Sequence, residues 1–268
     1  MIIKRFVSLF KTSYFKVTLL IALFLTSALI IIAMLLGNEA GSFVIRVQEG
    51  STDKSIAITL DKDDKSSYTR SLEAPGATNF SDNSPAFFLH DDYKELNEIT
   101  SHMGGYLVET NNIAGVGEDE FGNEEIAANR SLYCYTFYIV NTGTTGVNVN
   151  SVMSYSNVTK DLDDVIRVMS YYTDEDGREV PHIYQKTDKT FKHYEGYNVV
   201  NPEYFVSDGK AFSEKIYIGI NKAVKYSVFF WLEGEDPELD PTKLDVTKYY
   251  GATIKFQLDI SVDMSLSD

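Results

Sequence analysis

The chemistry this sequence offers most openly is that of crowded carboxylates. Asp61, Asp63 and Asp64 lie almost side by side, and Glu233, Glu235, Asp236 and Glu238 crowd the stretch after Trp231. Like charges so close repel at neutral pH. A hard cation such as Ca²⁺, which takes about six to eight oxygen ligands, would relieve that repulsion. Calcium is therefore the one candidate cofactor, with Asp61, Asp63, Asp64, Glu233, Glu235 and Asp236 as its candidate ligands. The first cluster departs from an EF-hand loop, because Ser66 and Leu72 stand where that loop needs Gly and a terminal Glu. The second also reads as a plain turn, with Gly234 bending the chain and Pro237 holding Asp236 extended. Solvated acids on loops are the alternative to metal in both places.

Other chemistry lacks its residues. Zinc hydrolysis needs three protein ligands and an open position for water, often with two His one helical turn apart. The histidines are His90, His102, His182 and His193, and none forms H-E-x-x-H or an i, i+4 pair. His90-Asp91-Asp92 is the nearest metal-like grouping, but its acids serve equally as a helix start. No G-x-S-x-G elbow occurs. Cys134, the single cysteine, lies within an apolar run, so it reads as a small buried hydrophobe and no internal disulfide can form. Gly115-Val116-Gly117 leads into acids without a helix signal, unlike a phosphate cradle. No catalytic residue is expected.

The element that fixes where any such chemistry operates is residues 17–36, VTLLIALFLTSALIIIAMLL. At about 1.5 Å per residue this uncharged run makes a helix as long as the bilayer core is thick. Lys4, Arg5, Lys11 and Lys16 precede it without an acid among them. The whole chain carries 24 bases and 39 acids, net −15, and setting those four bases aside leaves −19 on the remainder. Positive flanks stay on the cytoplasmic side. The expected organisation is a cytoplasmic basic segment, 1–16, then a transmembrane signal anchor, 17–36, touching lipid from Val17 to Leu36. An extracytoplasmic domain, 37–268, completes the chain. A cleaved signal peptide is the alternative, but the run is long for one and Gly37-Asn38-Glu39-Ala40-Gly41 makes a poor cleavage site. A lipoprotein is excluded, since no Cys lies near the end of the run. The acidic balance also excludes nucleic acid as partner, whose phosphates need basic patches.

Period-2 patterning dominates residues 37–268. Ile254, Phe256, Leu258, Ile260 and Val262 alternate with polar residues, as in a strand with one face in a core. Phe43, Ile45 and Val47 repeat the pattern, as do Ile56, Ile58 and Leu60, and Ile216, Ile218 and Ile220. Tyr133 to Val140 and Tyr226 to Leu232 are apolar on both parities and predict central strands covered on each side. Val147 to Met153 and Val165 to Tyr172 predict further strands. Asp174-Glu175-Asp176-Gly177 predicts a turn closing a hairpin with Arg178 to Tyr184. A short helix is expected over 93–99, and residues 111–130 and 186–212 read as long loops. With 18 Tyr, 16 Phe and only 6 Pro, the domain is folded rather than a stalk. Many short strands broken by turns point to a mainly β chain with an antiparallel β-sandwich.

Several segments together carry a resemblance. Gly37-Asn38-Glu39-Ala40-Gly41-Ser42-Phe43, Tyr135-Thr136-Phe137-Tyr138 with Asn141-Thr142-Gly143, and Ile166-Arg167-Val168 are three of them. The most distinctive is Lys225-Tyr226-Ser227 leading into Trp231-Leu232-Glu233-Gly234-Glu235-Asp236-Pro237-Glu238. In this order and spacing the chain resembles a group of exported bacterial proteins distantly similar to the camelysin/TasA-like biofilm-matrix family. The resemblance covers most of residues 37–262. It implies a jelly-roll-like sandwich on a Gram-positive type of cell surface and carries over no catalytic residue. Relatives of this type often place a Cys after the Asp-Pro-Glu, where this chain has Leu239. Fibre-forming members also lose the N-terminal segment that is read here as a retained anchor.

The expected function is accordingly a single-pass, non-enzymatic surface β-sandwich for interaction or for envelope or matrix assembly, with a surface protein or polysaccharide as partner. The alternative is an extracytoplasmic carbohydrate-binding or hydrolytic sandwich that works through its acidic loops, as a metalloprotease or glycan hydrolase would.

Overall fold

The computed structural model describes residues 43–48, 56–74, 95–109, 131–174, 176–186, 203–232 and 246–263, together with Ile21. The chain divides into two units, Met1–Ala40 and Gly41–Asp268. Of the first, only Ile21 is described, and it is helical and exposed. The rest of the expected anchor, 17–36, lies outside the described residues. Among those described, no helix is long and apolar enough to cross a membrane.

The second unit is mainly β. Its strands are β1 (Phe43–Val47), β2 (Ile56–Thr59), β3 (Ser71–Ala74), β4 (Gly104–Glu109), β5 (Ser131–Asn141) and β6 (Val147–Ser156). They continue with β7 (Ile166–Thr173), β8 (Glu179–Gln185), β9 (Glu203–Tyr204), β10 (Lys210–Ile218), β11 (Ala223–Leu232) and β12 (Lys255–Val262). A short helix, α1 (Glu95–Ile99), precedes β4. One sheet has the order β10-β6-β12-β1-β3; the other runs β2-β5-β11-β7-β8-β9, with β4 also pairing β5.

Alternation in the sequence becomes alternation in burial. Along β12, Phe256, Leu258 and Ile260 point inward and Lys255, Gln257 and Asp259 outward. The inward residues of the two sheets meet in one aromatic-rich core. Phe43 packs edge-on against Phe230 at 5.3 Å, and Phe230 lies 4.5 Å from Phe256. Tyr184 stacks on Phe212 at 4.9 Å. Each of these contacts joins one sheet to the other, so the sheets pack face to face.

The expectation of a wholly antiparallel sandwich is corrected, because both sheets are mixed. β1 pairs with β12 in parallel, Phe43 opposite Phe256 and Val47 opposite Ile260, and β8 pairs with β9 in parallel. Periodicity reports which face a residue occupies and is blind to strand direction. Other boundaries differ as well. Leu60 and Ile220 lie beyond the ends of their strands, in turns, and are exposed. The expected loop 186–212 contains β9 and the first residues of β10. β4 has no strand signal at its start, because it opens on Gly104-Gly105, which a strand pattern does not favour. Gly105 is needed there, since a Cβ would fall 2.1 Å from the Tyr133 hydroxyl.

The expected hairpin between β7 and β8 is present. Asp174 Oδ1 accepts from the Asp176 and Arg178 amides at 3.0 and 2.8 Å, and Gly177 takes a φ of 80°. The two central strands are covered on both faces, and Trp231 in β11 is fully buried.

Candidate functional site

The two sheets turn different outer faces to their surroundings. On the seven-stranded sheet, Leu132, Cys134, Met169, Tyr171, Ile183, Phe229 and Trp231 point away from the other sheet and are all buried. Tyr171 meets Phe229 edge-on at 6.4 Å, and Thr136 bonds Ser227 at 2.9 Å. Lys225 donates to Thr100 at the end of α1, where Ile99 and Thr100 are buried as well. This is a second core. Burial pushes the Cys134 thiol up to about 12, so it is neutral and unreactive in the folded chain.

The five-stranded sheet presents the opposite. Its outward positions, read across the register, include Asn148 and Asn150 on β6, Gln257, Asp259 and Ser261 on β12, Arg46 on β1 and Ser71 on β3. All are at least partly exposed. Acids and bases are mixed on this face, although the chain as a whole is at −15. Between β12, β1 and β3 it holds an open groove of about 580 Å³ lined by Arg46, Gln48, Arg70, Ser71, Gln257 and Asp259. Gln257 Nε2 donates to both Asp259 oxygens, at 2.9 and 3.0 Å. The Arg46 and Arg70 side chains make no ion pair among the described residues.

Between the sheets lies a polar cluster centred on Glu214 of β10. Tyr184 donates to its Oε1 at 2.6 Å and Tyr226 to its Oε2 at 3.0 Å, and Ser170 also donates to Oε1. Ser151 in turn donates to the Tyr226 hydroxyl at 3.1 Å. Burial, reinforced by the Glu214 charge, holds the Tyr184 and Tyr226 phenols well above their ordinary value. Glu214 crosses from the five-stranded sheet to three strands of the other, and its oxygens are occupied by hydroxyls. This arrangement ties the sheets together. The sequence does carry a signal for it: Glu214 interrupts the inward series Phe212, Ile216, Ile218.

The acid clusters behave differently. Asp61 Oδ1 accepts from the Asp63 amide at 3.0 Å. Asp64 Oδ1 accepts from the Ser66 hydroxyl and amide at 2.7 and 2.9 Å, and these bonds hold its carboxyl below the usual range. Both carboxylates shape their own turn, with Asp64 capping a 3₁₀ segment, Lys65–Ser67. Glu233, Glu235 and Asp236 lie outside the described residues, as do His90, Asp91, Asp92 and His193. His102 stacks on Tyr106 at 4.0 Å, and His182 contacts Glu203 at 3.1 Å. Among the described residues no three His, Cys, Asp or Glu side chains come together as a metal group. The paired acids Asp163 and Asp164 receive Lys186, at 2.6 and 3.0 Å.

Compared with known protein families, with curated proteins and with solved structures, the chain matches none.

Proposed function

We propose that this chain is a non-enzymatic surface module, anchored in the cell membrane by 17–36, that displays a jelly-roll-like β-sandwich outside the cytoplasm for interaction or for envelope or matrix assembly. The strand order supports the sandwich type. From β5 to β12, strands pass repeatedly between the two sheets, as jelly rolls do. The basic flank of the apolar run supports the orientation.

One observation carries the functional reading. The polar face of the five-stranded sheet is open, whereas the inter-sheet carboxylate and the Asp61–Asp64 turn are bonded within the fold. What the domain offers a partner is a surface of amides, hydroxyls and two arginines outside any ion pair among the described residues. A photo-reactive residue replacing Asn150 tests this on intact cells. The expected result is an adduct with another envelope component, absent when the residue replaces buried Phe229. No adduct from position 150 would overturn the interaction surface, and hydrolysis of peptide or glycan by the purified chain would overturn the non-enzymatic reading.

A further inference from the structure

We propose that the groove between β12, β1 and β3 binds a carboxylate-bearing glycan, a polymer of uronic acid type, with Arg46 and Arg70 holding the carboxylates. This rests on the reading of the open sheet face as the interaction surface and names its ligand class.

Charge is the first constraint. A chain with 39 acids and 24 bases has few bases to spare, and several of the described lysines are matched to acids: Lys186 to Asp163 and Asp164, Lys215 to Asp263, Lys248 to Asp161. Arg46 and Arg70 have no such acid partner among the described residues, and both line one groove. Arg46 stands in register with Asp259 on one side and Ser71 on the other. Asp259 is the obvious partner for it, yet it engages Gln257 through both oxygens. Both arginines line the groove, and a planar guanidinium fork matches a carboxylate in a bidentate way.

The rest of the lining narrows the ligand. Among the described residues no aromatic ring lines this groove, so they give a neutral sugar no platform to stack on. Ser71, Gln48, Gln257 and Asp259 supply both donors and acceptors, which suit the hydroxyls of a sugar ring. The carboxylate of Asp259 in the lining disfavours a densely phosphorylated polymer. A ligand with one carboxylate and several hydroxyls per repeat has a counterpart for each polar side chain of the described lining. The groove also opens onto the amide- and hydroxyl-bearing face of β6 and β12, which gives a polymer further places to bond.

The test uses the full chain in detergent and affinity electrophoresis through gels containing polygalacturonate, dextran or poly-glutamate. Retention by polygalacturonate alone is expected. The double variant Arg46→Gln, Arg70→Gln should weaken it about tenfold or more, and Arg46→Lys, Arg70→Lys should still weaken it several-fold because the fork is lost. Lys215→Gln, on the same face outside the groove, should leave retention unchanged. Unaltered melting of each variant shows that the fold survives, as expected for exposed side chains. Polygalacturonate retention that survives the double Gln substitution, equal retention by poly-glutamate, or no retention by any gel would each overturn the proposal. The cross-linking at position 150 stands apart from this. A chain that cross-links there but ignores polygalacturonate loses only its ligand class, whereas a chain without adducts loses the interaction surface itself.

Discussion

The outer faces of the two sheets are built by the same period-2 rule and end in opposite states. On β11 of the seven-stranded sheet the outward residues include Phe229 and Trp231, and they are as buried as the inward ones. On β12 of the five-stranded sheet the outward residues are Lys255, Gln257, Asp259 and Ser261, and they meet solvent. The difference lies wholly in the second parity. A strand whose outward positions are apolar has to be covered, and a strand whose outward positions are polar is left available. In this molecule stability is concentrated on one sheet and availability on the other.

Trp231 is where this contrast predicts the largest loss. Trp231→Ala removes a fully buried ring from the covered face and should cost about 3–5 kcal/mol, or prevent folding. That is a large part of the roughly 5–15 kcal/mol that holds a typical domain. A thermal melt of the variant that matches the wild type would mean that this face is not a second core.

Glu214 bears on both sheets at once, because it joins them. Glu214→Ala leaves the Tyr184 and Tyr226 hydroxyls without their acceptor between the sheets and should cost about 1–3 kcal/mol in chemical denaturation. A variant as stable as the wild type would show the cluster to be ornamental.

Alkali probes the same interior. Burial holds Tyr133, Tyr135, Tyr155, Tyr171, Tyr172, Tyr184 and Tyr226 above the ordinary phenol value, with Glu214 adding to the effect at Tyr172, Tyr184 and Tyr226. A group whose pKa is raised on folding stabilises the fold fully below its unfolded pKa, and that contribution fades as pH rises through the folded value. The unfolded phenol titrates near pH 10. Stability should therefore fall progressively above about pH 10, and ultraviolet titration should show a set of tyrosines that ionise only as the chain unfolds. Simultaneous ionisation of all 18 tyrosines with the fold intact would contradict the burial assigned to them.

The smallest effect belongs to the open face. Asn150→Ala should change stability by no more than about 0.5 kcal/mol, since the side chain stands at a partly exposed position on the solvent side of β6. A large loss there would mean that the five-stranded sheet, too, is covered.

The strands with strong alternation, and the two doubly apolar ones, were legible in the sequence because burial on one or both faces writes itself into residue type. β12 and β11 are the clearest examples. Direction was not legible: nothing in Phe43, Ile45 and Val47 distinguishes a parallel neighbour from an antiparallel one. Nor was β4, whose second opening glycine, Gly105, answers to the close approach of Tyr133 rather than to any local preference. The site was legible only in part. The acid clusters stand out through their density, yet Asp61 and Asp64 bond their own turn, while the groove is assembled from Arg46, Arg70 and Gln257, distant in sequence and joined by register. Glu214 could have been found, since an acid on an inward parity must meet a partner across the core.

The most direct test of the proposal that an open sheet is displayed outside the cytoplasm is cysteine labelling on intact cells. Cys134, fully buried in β5, serves as an internal control, and Asn150→Cys places a second thiol on the open face. With a membrane-impermeant maleimide, modification is expected at position 150 in unbroken cells and none at Cys134 until the chain is denatured. Position 150 remaining unmodified until the cells are lysed, or Cys134 reacting as readily as position 150 in the folded chain, would overturn the open, outward-facing sheet.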